Sequence, residues 1–273
     1  MLTCFYKKGN IMSRICPLFS GSTGNSTYIG TKNGDILIDA GASLKGMSAA
    51  ITSAGGDIND ILAVAVTHEH IDHIKGLKTL LNKTNAKLVA SKDTLEALLK
   101  LDKVPAKTEI ICLDENFAEI CGIQIGRFAT SHDCKGSSGY VLNLPDNKKV
   151  SVCTDLGVVT DEVRNAIFGS DLVLLESNHD VEMLKRGPYP ANLKVRILSE
   201  QGHISNNVCA NELPVLLEKG TKRFILGHLS RHNNTPMLAK SCAQARLMDL
   251  MAENGKDYIL TVAKPDGNGV TVI

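Results

Sequence analysis

Four candidate metal ligands, His68, His70, Asp72 and His73, lie within six consecutive positions of the segment 67–73, Thr-His-Glu-His-Ile-Asp-His. His68 and His70, in an extended segment, can point to the same side and chelate one ion. Asp72 and His73 fall in the turn that opens a predicted helix and can hold a second ion nearby. A single histidine is more often an ordinary core or surface residue, but this cluster predicts a metal centre. Imidazole and carboxylate ligands without cysteine suit Zn²⁺ or Mn²⁺, with Fe²⁺ also possible.

Three further candidate ligands each follow a short apolar run, and they are His132, Asp155 and His228. A carboxylate such as Asp155 can bridge two cations. A water held between two such cations is a hydroxide at neutral pH. The sequence therefore predicts two divalent metal ions and hydrolytic chemistry.

The elements that must position these residues are short apolar runs that end in a polar residue. Near-continuous apolar character favours strands buried on both faces, and ligands just beyond the carboxyl ends of strands are typical of layered α/β proteins. We predict strands over 35–41, 61–66, 128–130, 150–153, 171–175, 223–227 and 257–263, and helices over 74–81, 94–101, 212–219 and 241–254. This layout favours a two-sheet sandwich flanked by helices, as a single domain over 12–273. Residues 1–11 are interpreted as an extension from an upstream start, with Met12 as an alternative start.

Composition limits the class of protein further. The chain has 273 residues, 43% of them hydrophobic, which is enough for a large buried core. The formal net charge of +1 gives no global field toward nucleic acid or membrane, so a polyanionic substrate needs a local basic patch. The eight cysteines include no C-x-x-C pair and favour reduced, buried thiols. Without a signal peptide or an apolar run of membrane-spanning length, we expect a soluble, cytoplasmic protein with no membrane partner.

The order Asp39, the His68–His73 run, His132, Asp155 and His228 resembles that of the metallo-β-lactamase superfamily, over the chain from about Ile15 to Val272. The resemblance implies an α/β fold, the αβ/βα four-layer sandwich of two mixed β-sheets flanked by helices. It also implies an allocation of ligands, with His68, His70 and His132 on one ion, Asp72, His73 and His228 on the other, and Asp155 bridging. Asp39 would orient the histidine-rich loop from outside the ligand set.

Later motifs are similar to the nuclease branch of that superfamily. Glu176-Ser177-Asn178 follows a predicted strand, and the tetrapeptides 202–205 (Gly-His-Ile-Ser) and 227–230 (Gly-His-Leu-Ser) come after it. A second combination looks like the small bacterial YycJ (WalJ) proteins, which are regarded as phosphodiesterases. It consists of the segments 20–26 (Ser-Gly-Ser-Thr-Gly-Asn-Ser), 176–180 (Glu-Ser-Asn-His-Asp), 187–190 (Gly-Pro-Tyr-Pro) and 229–234 (Leu-Ser-Arg-His-Asn-Asn). The resemblance implies a metal-dependent phosphodiesterase or nuclease, a 5′-to-3′ exonuclease on DNA that uses a metal-bridging hydroxide.

Roles for individual residues follow from the same resemblance. His203 is the candidate general acid or the hydrogen-bond donor to the transition-state oxyanion. Glu176 orients His203 or a ligand, and Asp72 belongs to the catalytic set as well as to the metal ligands. Candidate substrate contacts are Ser22, Asn25, Asn178, His179 and Arg231. The glycine-serine loop 20–26 could cradle a phosphate or could equally be a tight turn. Basic residues at 185–196 could line a path for a nucleic-acid backbone or could equally form a solvated face.

Two other functions remain open at this point. One is hydrolysis of a small ester, thioester or lactone by the same metal site. The other is a regulatory protein that binds metal without turnover, which the full ligand set disfavours. The sequence does not choose between DNA and RNA or give the oligomeric state.

Overall fold

The computed structural model describes residues 12–114, 117–267 and 269–273. The predicted extension over 1–11 lies outside the described residues, and the alternative start at Met12 stays a prediction. The described chain forms two compact units. Unit 1 contains the residues up to 127 together with 134–148 and the segment from 264 onward, and unit 2 contains 128–133 and 149–263. The single domain over 12–273 also stays a prediction.

The strands of the described chain are β1 (Arg14–Phe19), β2 (Ser26–Thr31), β3 (Gly34–Ile38), β4 (Ile61–Ala65), β5 (Lys87–Ala90), β6 (Ile110–Cys112), β7 (Ala118–Ile120), β8 (Ile123–Ala129), β9 (Ser138–Asn143), β10 (Lys149–Cys153), β11 (Leu172–Glu176), β12 (Arg223–Gly227), β13 (Ile259–Val262) and β14 (Thr271–Val272). The α-helices are α1 (Leu44–Ser53), α2 (Ile71–Ile74), α3 (Leu77–Lys83), α4 (Lys92–Lys100), α5 (Asp161–Ile167), α6 (Val181–Arg186), α7 (Ala191–Leu198), α8 (Asn206–Glu218) and α9 (Pro236–Met248). The strands form two mixed seven-stranded sheets flanked by helices, as the sequence predicted.

The first sheet lies in unit 1 and has the strand order β14-β1-β2-β3-β4-β5-β6. Neighbours from β14 to β3 are antiparallel, whereas β3, β4, β5 and β6 are parallel. Helices α1, α3 and α4 cover this sheet with apolar side chains that include Met47, Leu80 and Leu98, all fully buried. Burial on this scale is the main favourable term in folding, and it fixes the sheet whose strand ends carry the first candidate ligands.

Parallel pairing of β3 and β4 brings two chemically important segments together. Ile38 is in register with Ala65, so both strands end at the same edge of the sheet. Asp39 follows β3 directly, and its N–H donates to the carbonyl of Ala65 at 2.9 Å. Thr67 and His68 follow β4 after one further residue. The strand order thus explains why Asp39 lies beside the histidine-rich run.

In unit 2 the strands β10, β11, β12 and β13 are parallel. Cys153 is in register with Leu175, and Leu175 with Leu226. These strand ends therefore form one edge, from which Asp155, Glu176 and His228 extend. Helices α5, α8 and α9 pack on the strands in a second apolar cluster.

Some predicted helix boundaries are wrong, for local reasons. The helix predicted over 241–254 begins at Pro236, because Thr235 caps its first turn by accepting from the N–H of Leu238 at 3.2 Å. The helix predicted over 212–219 is the second half of α8, which begins after the cap residue Ser205. The helix predicted over 74–81 is divided into α2 and α3 at Gly76.

No helix among the described residues combines the length and apolar character required to cross a membrane.

Cys153 and Cys209 are buried thiols, and burial raises the pKa of each. These two residues match the buried thiols expected from the sequence, but Cys112 is exposed and Cys121, Cys134 and Cys242 are partly exposed.

Replacing Tyr140 by phenylalanine is expected to destabilise unit 1. The fully buried Tyr140 hydroxyl donates to the carbonyl of Val66 at 2.7 Å, just before the histidine-rich run, and burial raises its pKa. Losing the donor from a buried carbonyl should lower the free energy of unfolding by about 1–3 kcal/mol. Urea denaturation with a chelator present measures this independently of metal. Tyr189→Phe, at a partly exposed tyrosine, is the control, and equal stability of the two variants would contradict the expectation.

Candidate metal centre

The first candidate ligands are oriented by a buried carboxylate at the end of β3. Asp39 accepts from the N–H and the hydroxyl of Thr67, both at 2.8 Å, and its Oδ2 lies 2.8 Å from His73 Nδ1. Thr67 Oγ1 also lies 3.0 Å from His68 Nδ1. These contacts place the imidazole proton on Nδ1 of both histidines. The Nε2 lone pairs of His68 and His73 are then available to a cation.

The donor atoms in unit 1 form two pairs. His68 Nε2 and His70 Nδ1 are 3.0 Å apart. His73 Nε2 and Asp72 Oδ2 are 3.6 Å apart. Because Zn–N and Zn–O bonds are about 2.0–2.2 Å, two donors on one cation lie about 3–3.6 Å apart. Both pairs therefore fit a divalent cation in spacing and in chemistry.

The turn that carries Asp72 and His73 is held by close backbone contact with the segment after β3. The N–H of Ala40 donates to the carbonyl of His73, and the N–H of Gly76 donates to the carbonyl of Ala40, both at 2.8 Å. A Cβ on Gly41 would lie 1.7 Å from the carbonyl oxygen of Asp72. Only glycine allows the two segments to approach this closely.

Glu176 organises the candidate residues of unit 2. It is fully buried at the end of β11, and its Oε1 accepts from His203 Nδ1 at 2.8 Å and from His228 Nδ1 at 2.7 Å. Its Oε2 accepts from the N–H groups of Leu156 and Ile204, at 3.2 and 3.3 Å. One carboxylate thus fixes the rings of both histidines and leaves each Nε2 for other chemistry.

Asp155 and His132 complete the candidate set of unit 2. Asp155 Oδ1 lies 3.5 Å from His228 Nε2 and 4.0 Å from His132 Nε2. His132 Nδ1 lies 3.3 Å from the carbonyl of Gly202, which leaves Nε2 facing Asp155. Three imidazoles, Asp155 and Glu176 thus converge at one edge of the second sheet. Oxygen and imidazole donors in this arrangement suit a divalent cation.

Three site residues have a left-handed backbone. Asp39, Asp155 and His228 have φ values of 61°, 59° and 55°, and each comes within two residues of a strand end. This conformation costs a residue other than glycine on the order of 1–3 kcal/mol, and residues that adopt it cluster at functional sites. At His228 it is supported by the amide of Asn178, which donates to the His228 carbonyl at 2.9 Å.

The two orienting carboxylates differ in electrostatics. Burial raises the pKa of Asp39, although His73 and the Thr67 hydrogen bonds oppose it. Burial also raises the pKa of Glu176, but His203 and His228 outweigh burial and bring it to about 2. Burial lowers the pKa of His132 and brings that of His179 to about 4, which favours neutral imidazoles at both positions.

The predicted substrate contacts occupy unlike environments. Ser22 and Arg231 are exposed, whereas Asn25, Asn178 and His179 are buried. Within the described chain no hydrogen-bond partner is found for either ring nitrogen of His179.

The predicted basic stretch is partly neutralised. Lys185 and Arg186 both lie within 3.5 Å of Glu182, and Arg196 pairs with Asp133. This favours the solvated-face interpretation for these three residues.

Sequence reasoning missed three residues of these sets. The sequence assigns no role to Thr67 within the segment 67–73, although its hydroxyl contacts Asp39 and the imidazoles of His68 and His73. The close approach at Gly41 has no sequence signal except the glycine itself. Asp133 Oδ1 lies 3.3 Å from His132 Nε2, and only its position next to a candidate ligand could have indicated it.

Comparison with known proteins identifies the family. The family described as the β-lactamase superfamily domain matches residues 35–229. The chain is 38% identical over 224 residues to the exodeoxyribonuclease YycJ of Bacillus anthracis. The aligned region covers 82% of this chain and 84% of that protein. It is also 35% identical over 252 residues to the exodeoxyribonuclease WalJ of Streptococcus pneumoniae serotype 2. This second alignment covers 91% of this chain and 93% of that protein.

Among solved structures, Zn²⁺-bound PqqB from Methylobacterium extorquens is similar in fold. Its TM-score is 0.70 at 17% identity, over 95% of this chain and all (100%) of that one. The family match and the YycJ and WalJ relatives show that the chain belongs to the β-lactamase superfamily, in the YycJ-like branch. The similarity to PqqB confirms the predicted fold class. The family and the clusters of imidazole and carboxylate donors support divalent-metal binding.

Replacing Asp39 by asparagine is expected to weaken metal binding by about 10- to 100-fold, because the proton on His73 Nδ1 loses its charged acceptor. Calorimetric titration of the metal-free protein with Mn²⁺ measures the change. Asp35→Asn is the matched control, since Asp35 is an equally buried carboxylate on β3 that accepts from the Tyr28 hydroxyl at 2.8 Å. Unchanged Mn²⁺ affinity in Asp39→Asn would contradict the role.

Proposed function

We propose that this chain is a metal-dependent nuclease that hydrolyses phosphodiester bonds in DNA, as a 5′-to-3′ exonuclease. Family membership and relatives named as exodeoxyribonucleases support the proposal. The observation that carries it is the contact of one Glu176 oxygen with both His203 and His228. This contact joins a candidate metal ligand to a candidate proton donor.

The proposal includes the ligand allocation predicted from the sequence. His68, His70 and His132 would hold one divalent cation, Asp72, His73 and His228 would hold the other, and Asp155 would serve as a ligand shared by both. When bound, the two cations lower the pKa of a coordinated water and neutralise charge on the phosphate. Zn²⁺ and Mn²⁺ both suit the donors, and Fe²⁺ is also compatible.

His203 acts as the general acid in this proposal. Its Nδ1–H donates to Glu176, which orients the ring so that an Nε2 proton can pass to the leaving oxygen. The His203 side chain is 18% exposed, against 4% for His228 and 0% for Glu176. It is therefore the member of the trio that a substrate can reach.

The remaining predicted residues keep subordinate roles. Asp72 serves the reaction as a ligand, and His179, Asn178, Ser22 and Arg231 are proposed as substrate contacts. A cytoplasmic location, expected from the cysteine pattern of the sequence, is also part of the proposal.

A substrate panel separates this proposal from its alternatives. Duplex DNA with a 5′-phosphate, the corresponding RNA, a thioester and a lactone are each incubated with the protein and Mn²⁺ or Zn²⁺. We expect Mn²⁺- or Zn²⁺-dependent release of mononucleotides from the 5′ end of DNA. Turnover of only the thioester or lactone would assign a small-molecule hydrolase. Stoichiometric metal binding without turnover of any substrate would favour the regulatory alternative.

The His203→Ala variant tests the general acid. We expect kcat on DNA to fall about 10²- to 10⁴-fold with metal content unchanged. The loss should be much smaller on bis-p-nitrophenyl phosphate, because its leaving group needs no proton. Activity and metal content are measured together, with His232→Ala, at an exposed histidine, as the control. Equal losses on the two substrates would contradict proton donation by His203.

A further inference from the structure

The glycine-serine loop between β1 and β2 uses three of its backbone donors inside the protein. The N–H of Gly24 donates to the carbonyl of Gly21 at 3.0 Å, and the N–H of Gly21 donates to Asn25 Oδ1 at 2.9 Å. The N–H of Asn25 donates to the carbonyl of Asp72 at 2.7 Å. These three N–H groups are unavailable to a phosphate. The bond from Asn25 to the Asp72 carbonyl also joins the loop to the turn that carries the candidate ligands Asp72 and His73.

The side chain of Asn25 is fixed by the same loop. Its Oδ1 accepts from Gly21 N–H, and its Nδ2 donates to the Gly21 carbonyl at 3.1 Å. Asn25 is 7% exposed, so water competes little for these bonds. Because Gly21 engages one N–H of the amide, the orientation of the other N–H is set.

That second N–H faces two candidate ligands. Asn25 Nδ2 lies 3.2 Å from Asp72 Oδ2 and 3.0 Å from His73 Nε2. Asp39 holds Nδ1 of His73, so Nε2 is the nitrogen that faces the amide. A donor shared between these atoms keeps them on one side of the turn, 3.6 Å apart. That spacing is close to what a single cation requires.

We propose that Asn25 is a positioning residue that sets the affinity of the cation held by Asp72 and His73. The inference rests on the metal site of the proposed function, and it gives Asn25 a role other than the substrate contact predicted from sequence. With His73 Nε2 given to a cation, the Asn25 amide would keep the Asp72 carboxylate as its acceptor. A carboxylate already held in this way would lose less side-chain entropy on binding the ion.

The Asn25→Ala variant tests the proposal by metal titration. Metal-free protein is titrated with Co²⁺, and binding is followed by calorimetry and by visible absorption, which reports coordination geometry. We expect one of two binding steps to weaken about 10- to 100-fold, with an altered absorption band for that step only. The other step should keep its wild-type affinity.

Asn33→Ala is the matched control. Asn33 is another loop asparagine of unit 1, whose amide donates to the carbonyl of Cys121 at 2.7 Å. Thermal melting of both variants in a chelator distinguishes positioning from general destabilisation. We expect similar melting temperatures without metal and a difference in Co²⁺ affinity only for Asn25→Ala.

Other outcomes overturn the inference in distinguishable ways. Wild-type affinity for both ions in Asn25→Ala, with DNA hydrolysis retained, would refute the role of Asn25 and leave the proposed function intact. Tighter Co²⁺ binding would mean that the amide competes with the cation. Equal weakening of both steps together with a lower metal-free melting temperature would indicate a purely structural asparagine. Absence of Co²⁺ binding in the wild type would refute the proposed function itself.

Discussion

A neutral imidazole offers one nitrogen to a metal only when the other nitrogen carries the proton, and an acceptor for that proton fixes the ring. This constraint governs both candidate ligand sets. Asp39 and Thr67 provide the acceptors for His73 and His68, and Glu176 provides the acceptor for His228. The acceptors must be buried at the ends of parallel strands, because a solvated carboxylate would hold a ring only weakly.

Burying a carboxylate at the end of a strand costs desolvation free energy and so opposes folding. The two units offset this cost with different hydrogen-bond donors. Asp39 has one imidazole and one threonine as donors, and burial still raises its pKa. Glu176 has two imidazoles and two backbone N–H groups, and its pKa falls to about 2. The left-handed conformations of Asp155 and His228 add strain at the same strand ends. Apolar packing beneath each sheet has to offset both costs, which links metal geometry to the stability of the core.

Part of the strand set was predictable because its apolar runs are local signals. The histidine-rich run is likewise a local pattern, and its role in metal binding stays a proposal. The observed β12 has the predicted limits, and β4 and β10 differ from prediction by a single residue at one end. Helix α9 was placed too late because the apolar pattern after 241 was followed, whereas Thr235 and Pro236 start the helix. The roles of Thr67 and Asn25 were not predictable, since each depends on contacts with residues 28 or more positions away.

The two tetrapeptides 202–205 and 227–230 have nearly the same sequence, but their histidines lie in different surroundings. They read Gly-His-Ile-Ser and Gly-His-Leu-Ser, and both histidines donate through Nδ1 to the same oxygen of Glu176. His228 directly follows a central parallel strand with φ of 55° and a side chain 4% exposed. His203 lies between α7 and α8, with a side chain 18% exposed. In the proposed function the same local sequence would therefore serve as a ligand in one place and as a proton donor in the other, because the surrounding backbone leaves the His203 side chain more exposed than that of His228.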